Sequence, residues 1–127
     1  MKYLWIVLLL FTFLFADDHK EEHHHYYSKD LTYLNLSHEQ QRSIKKVLKE
    51  YRKELKMYRE LKENTIGSKQ KLFEQERFDQ NALITLDIKL AQKAAQIEAN
   101  FLTNIHTILT KEQRKLFIKH IDEWEIE

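Results

Sequence analysis

The chain has 127 residues, 21 of them basic and 20 acidic, with no Cys, no Pro and a single Gly. That length holds one small domain. Without Gly and Pro there are few tight turns, so β-hairpins, sandwiches and phosphate-cradling loops are excluded; without Cys, so are disulfides, thiolate metal ligands and a lipoprotein anchor. A long-helix protein is what remains.

Residues 1–16 differ from the rest. Lys2 precedes an apolar run from Tyr3 to Ala16, and the acidic pair Asp17-Asp18 follows. A cationic start, a short apolar stretch and a small residue at the boundary describe a secretory signal peptide. As a helix the run of 14 residues reaches only about 21 Å, short of a ~30 Å hydrocarbon core. Cleavage is expected after Ala16, with an uncleaved anchor as the alternative; only in that case would the chain touch a membrane. The signal carries one basic residue, Lys2, so the remaining chain has equal numbers of basic and acidic groups. Such a balance does not describe a nucleic-acid binder.

Residues 17–30 are rich in His, acidic residues and Tyr and show no period, so a flexible mature N-terminus is expected. Cleavage after Ala16 would leave Asp17-Asp18-His19 at the start. A free amine, two backbone amides and the His19 imidazole then form a square-planar four-nitrogen set suited to Cu(II) or Ni(II). His23, His24 and His25 add candidate ligands for Zn(II) or Cu(II), and His19 and His23 lie one helical turn apart. Nothing else in the chain requires a cofactor. His38, His106 and His120 fall within helical patterns and read as packing or surface residues.

The domain proper spans residues 31–127 and is expected to be all-α with four helices. Leu31, Tyr33, Leu34 and Leu36 form an apolar lead-in. Next comes Leu36-Ser37-His38-Glu39-Gln40, whose pattern returns as Leu109-Thr110-Lys111-Glu112-Gln113. Ser or Thr followed three residues later by Gln is a capping box: the hydroxyl accepts from the third amide, and the Gln side chain accepts from the cap's own N–H. From Ser37 onward Ile44, Val47, Leu48, Tyr51, Leu55, Tyr58 and Leu61 recur at spacings of three and four, predicting a helix that ends near Ile66-Gly67, with Gly67 as a left-handed C-cap. Ser68 is expected to open a short helix through Phe73. Asp79 caps a third helix running to about Leu109, and Thr110 a fourth with Leu116, Phe117, His120, Ile121 and Trp124 on one face. The two long helices come to about 45 Å each. Equal rods on a short connector make an antiparallel hairpin, which returns the second capping box to the first.

The two rods differ chemically. From Arg42 to Glu63, 13 of 22 residues are charged; from Gln80 to Leu109, only Asp87, Lys89, Lys93 and Glu98 are. The second rod carries one apolar stripe at Leu83, Leu86, Leu90, Ala94, Ile97, Phe101, Ile105 and Ile108, and another at Ile84, Ile88, Ala91, Ala95 and Leu102. So much apolar circumference calls either for a second subunit or for an open binding surface.

The two boxes, the export signal and the helix pattern resemble the Spy/CpxP family, which is marked by a repeated Leu-Thr-x-x-Gln motif. The stretch Asn104 to Phe117 and the dipeptide Phe78-Asp79 carry the resemblance most clearly. It implies periplasmic localisation and a cradle-like antiparallel homodimer that shields unfolded or misfolded envelope proteins without ATP, as a chaperone or stress adaptor. It also makes the periplasmic domain of a sensor kinase a candidate partner. Metal-responsive proteins of the same fold supply the alternative, a periplasmic Cu, Ni or Zn binder or sensor.

The residues fit a client-binding face on their own account. Arg42 to Lys62 holds nine Lys/Arg against three Glu. Lys45, Lys49, Arg52 and Lys56, with Tyr51, Met57 and Tyr58 interleaved, are the expected contacts, because long cationic stems and Met adapt to varied surfaces. Catalysis is not expected: no His-Glu-x-x-His, Gly-rich phosphate loop or nucleophile elbow is present.

Overall fold

The computed structural model describes residues 31–126. They form a single-turn 3-10 helix at Thr32–Leu34, α1 at His38–Phe73, α2 at Gln80–Ile108, α3 at Lys111–Phe117 and a second 3-10 segment at Ile118–Trp124. The long pair, α1 and α2, packs as an antiparallel hairpin, so the all-α hairpin expected from periodicity is present among the described residues. No described helix is long and apolar enough to cross a membrane. Residues 1–16, where a signal peptide is expected, and the His-rich residues 17–30 lie outside the described residues.

The expected break at Gly67 is absent. α1 continues through it to Phe73 and reaches about 54 Å. Gly67 has no positive φ, and Ser68 does not open a new helix; its hydroxyl donates back to Asn64 O at 3.0 Å, as a mid-helix Ser does. A helical Gly costs about 1 kcal/mol against Ala. Continuing past it brings Lys69 onto Asp87 of α2 in an ion pair and half-buries Leu72. The expected four helices are therefore three α-helices among the described residues. A Cβ built on Gly67 meets nothing within 4 Å. Gly67→Ala is accordingly expected to raise stability by about 0.5–1 kcal/mol, read from urea unfolding. A loss of stability would place a break in α1 after all.

The core gathers toward the end of the hairpin that holds the starts of α1 and α3. Ile44, Tyr51, Leu55 and Tyr58 of α1 meet Ile97, Phe101 and Ile105 of α2, and Leu31, Leu34, Leu109, Phe117 and Trp124 close over them. Trp124 stacks on Phe101 with ring centroids 4.4 Å apart and lies 5.9 Å from Tyr51. The expected fourth helix is α-helical only to Phe117. At His120 the backbone leaves helical geometry (φ −127°, ψ 17°); Trp124 beyond it is buried, whereas Leu116 and Ile121, expected on the same face, are exposed. Toward the far tip the apolar contacts thin out: Leu83, Leu86 and Leu90 are only half-buried, and Phe73 and Phe78 meet edge to face at 6.1 Å in the open.

Candidate functional site

Both capping boxes are formed. Ser37 Oγ accepts from Gln40 N at 3.2 Å and Ser37 N–H donates to Gln40 Oε1 at 3.0 Å. Thr110 Oγ1 accepts from Gln113 N at 3.3 Å and Thr110 N–H donates to Gln113 Oε1 at 2.9 Å. Asp79 caps α2 through Ala82 N at 2.9 Å. Ser37 and Thr110 thus stand at the starts of α1 and α3, as their spacing predicts.

The hairpin joins the two boxes into one site. Gln40 Nε2 donates to Gln113 Oε1 at 2.7 Å, and Gln113 Nε2 donates to Gln40 Oε1 at 3.0 Å, a reciprocal amide pair. The second N–H of each amide reaches a carbonyl of the neighbouring segment: Gln40 to Ile108 O at 3.0 Å, Gln113 to Leu34 O at 3.1 Å. Each side-chain amide therefore makes its full set of two donated and two accepted bonds. Glu at either position would keep the local box but lose both donors. The sequence pattern revealed each box; it could not reveal that the two amides face each other across the hairpin. Of the motif leucines, Leu109 is buried beneath this junction and Leu36 half-buried against the core. The motif residues are a structural clasp at the chain reversals.

The other sequence-chosen residues divide. Lys45, Lys49, Arg52 and Lys56 are all exposed, and their spacing of four, three and four sets them in one row along α1. Arg59 extends that row by three more. Met57 is 52% exposed but lies off the row, following Lys53 at the next turn. Tyr51 and Tyr58 do not belong to the exposed face. They are buried in the core, Tyr51 against Phe101 at 4.5 Å, because they fall on the same stripe as Ile44 and Leu55. The tail residues Asp17, His19, His23, His24 and His25 lie outside the described residues. Among the described residues no three His, Asp or Glu side chains gather as a metal site. His38 and His106 are both exposed, and His120 rests on Tyr33 while pairing with Glu123 at 2.8 Å.

The flank of the hairpin bearing Glu50 and Glu54 is different again. Glu54 reaches Asn100 of α2 at 3.4 Å, and Asn100 in turn accepts from Gln96 at 2.9 Å. Glu50, Glu54, Asn100, Thr103 and Asn104 line a shallow polar groove of about 350 Å³. From Lys45 to Arg59 the exposed row is basic, and Glu60 and Glu63 follow at its end, so a partner would meet net positive charge along most of the row.

Compared with protein-family models, with curated proteins and with solved structures, the chain finds no match.

Proposed function

We propose that this protein is an exported, ATP-independent chaperone or stress adaptor of the Spy/CpxP kind, holding unfolded polypeptides on the basic side of α1. The observation that carries the reading is the exposed row Lys45, Lys49, Arg52, Lys56 on a rigid helix clasped by two Leu-Ser/Thr-x-x-Gln motifs. A row of long, flexible cations on a stiff rod attracts acidic segments at long range and offers apolar stems at contact. It demands no particular client sequence. Clients of net negative charge would be captured fastest, and added salt would slow the capture.

The test is suppression of aggregation of a chemically unfolded acidic protein, followed by light scattering. Near-stoichiometric protein is expected to suppress scattering, and the quadruple variant Lys45→Glu, Lys49→Glu, Arg52→Glu, Lys56→Glu is expected to lose that effect with its helical circular dichroism unchanged. Undiminished suppression by the folded variant would remove the basic row from the mechanism. The alternative, a Cu, Ni or Zn protein of the same fold, rests on the Asp17-Asp18-His19 start and on His23, His24 and His25. It predicts metal affinity that disappears when residues 17–25 are deleted.

A further inference from the structure

The far tip of the hairpin holds apolar side chains that the core does not use. No residue from Ile66 to Gln96 is buried. Yet Phe73 is 81% exposed, Ile66 50% and Phe78 49%, and the two rings meet edge to face across the connection between α1 and α2. Polar residues suffice for such a connection, so two exposed phenylalanines there mark a contact surface. The rings project from the end of a rod, and a protein that received them would need a matching pocket. Charge around them is close to balanced. Lys71 and Arg77 offset Glu74 and Glu76, Lys69 pairs with Asp87, and the Asp79 carboxylate caps α2.

The apolar tip continues the basic row. Ile66 and Phe73 follow Arg52 and Arg59 at intervals of seven, two helical turns each, so all four lie along one side of α1. From Lys45 to Phe73 that side extends about 42 Å. Its first half is cationic and its end apolar, with Glu60 and Glu63 between them. We propose that row and tip together are a docking surface for an anionic lipid bilayer. Phe73 and Phe78 enter the boundary between headgroups and acyl chains, while Lys45, Lys49, Arg52, Lys56 and Arg59 lie against the headgroups. A fluid interface accepts a projecting ring without a preformed pocket, and cationic plus apolar contacts are the two signals that peripheral membrane binding combines. Long Lys and Arg stems reach the surface from the side of a rod, and each cation adds to the attraction. Docking of this kind needs neither a membrane-spanning helix nor an uncleaved N-terminal segment. It shares the basic row with the chaperone reading but does not rest on it, since both rings lie outside the client contacts.

The test uses the purified protein, its N-terminus read by mass spectrometry, and phosphatidylcholine vesicles with or without about one-third phosphatidylglycerol. The chain has no native Cys. Gln75→Cys therefore takes a single environment-sensitive fluorophore at the tip, and Glu112→Cys one at the opposite end of the hairpin. With phosphatidylglycerol present, the tip label is expected to shift to the blue and to be quenched by nitroxide-bearing acyl chains, and the Glu112→Cys label to do neither. Phe73→Ser with Phe78→Ser is expected to raise the lipid concentration for half-response by about tenfold or more, with helical circular dichroism retained. Lys49→Gln, Lys56→Gln and Arg59→Gln together are expected to remove the preference for phosphatidylglycerol. A tip label unmoved by either vesicle overturns the proposal, and so does a response that survives the serines undiminished. A label that responds to an unfolded polypeptide but to no vesicle assigns the rings to a protein partner and overturns it as well. Client suppression measured on the serine variant reports separately on the chaperone reading.

Discussion

Trp124→Ala is expected to lower the free energy of unfolding by about 3–5 kcal/mol, a large share of what a domain of this size has. The indole is the keystone of the core: it lies on Phe101, approaches Tyr51 and Phe117, and is itself almost fully buried. Nothing else fills that position. The residues that carry it form a 3-10 segment with a kink at His120. Loss of the ring should also release Ile126, which packs on the same core. Urea unfolding followed by circular dichroism measures the first effect. Amide hydrogen exchange across residues 118–126 measures the second, with protection lost there before it is lost in α1. A cost below about 1 kcal/mol would mean that the C-terminal segment does not close the core.

What was legible in the sequence was what local chemistry decides. A hydroxyl followed three residues later by an amide specifies a helix start whatever surrounds it, so Ser37 and Thr110 could be placed from their own neighbours. The three-and-four spacing of Ile44, Tyr51, Leu55 and Tyr58 likewise defined the buried side of α1, and it overrules the assignment of both tyrosines to an exposed client face. Gly67 was misleading because propensity is a small term. About 1 kcal/mol against the helix is outweighed by the Lys69–Asp87 pair and the contacts of Leu72. The kink at His120 has no signal in its neighbours, since it follows from fitting Trp124 between two long helices. The meeting of Gln40 with Gln113 was illegible in detail for the same reason. It depends on the hairpin's length and pitch, although the return of the two boxes to one end was readable from two long helices on a short connector, even with α1 at 36 residues longer than α2 at 29.

That amide pair is the site of the second large effect. Gln113→Ala removes four hydrogen bonds at once and leaves Leu34 O and Thr110 N–H without their partners, at an expected cost of about 2–4 kcal/mol. Gln113→Glu is the sharper test. A capping box accepts Glu as readily as Gln, so a merely local role predicts almost no change. In the reciprocal pair, however, a carboxylate would face Leu34 O and Gln40 Oε1, both acceptors. One carboxylate oxygen would keep the donors Thr110 N–H and Gln40 Nε2, while the other would stand against those acceptors with no hydrogen to give. Relative to wild type, the variant should then be less stable by about 2 kcal/mol at neutral pH. Urea titrations of both proteins at neutral pH measure the difference. The Gln40→Ala, Gln113→Ala double variant should cost less than the sum of the singles by about 1–2 kcal/mol, as expected for groups that bond each other. A Gln113→Glu protein as stable as wild type at neutral pH would reduce the clasp to two independent helix caps.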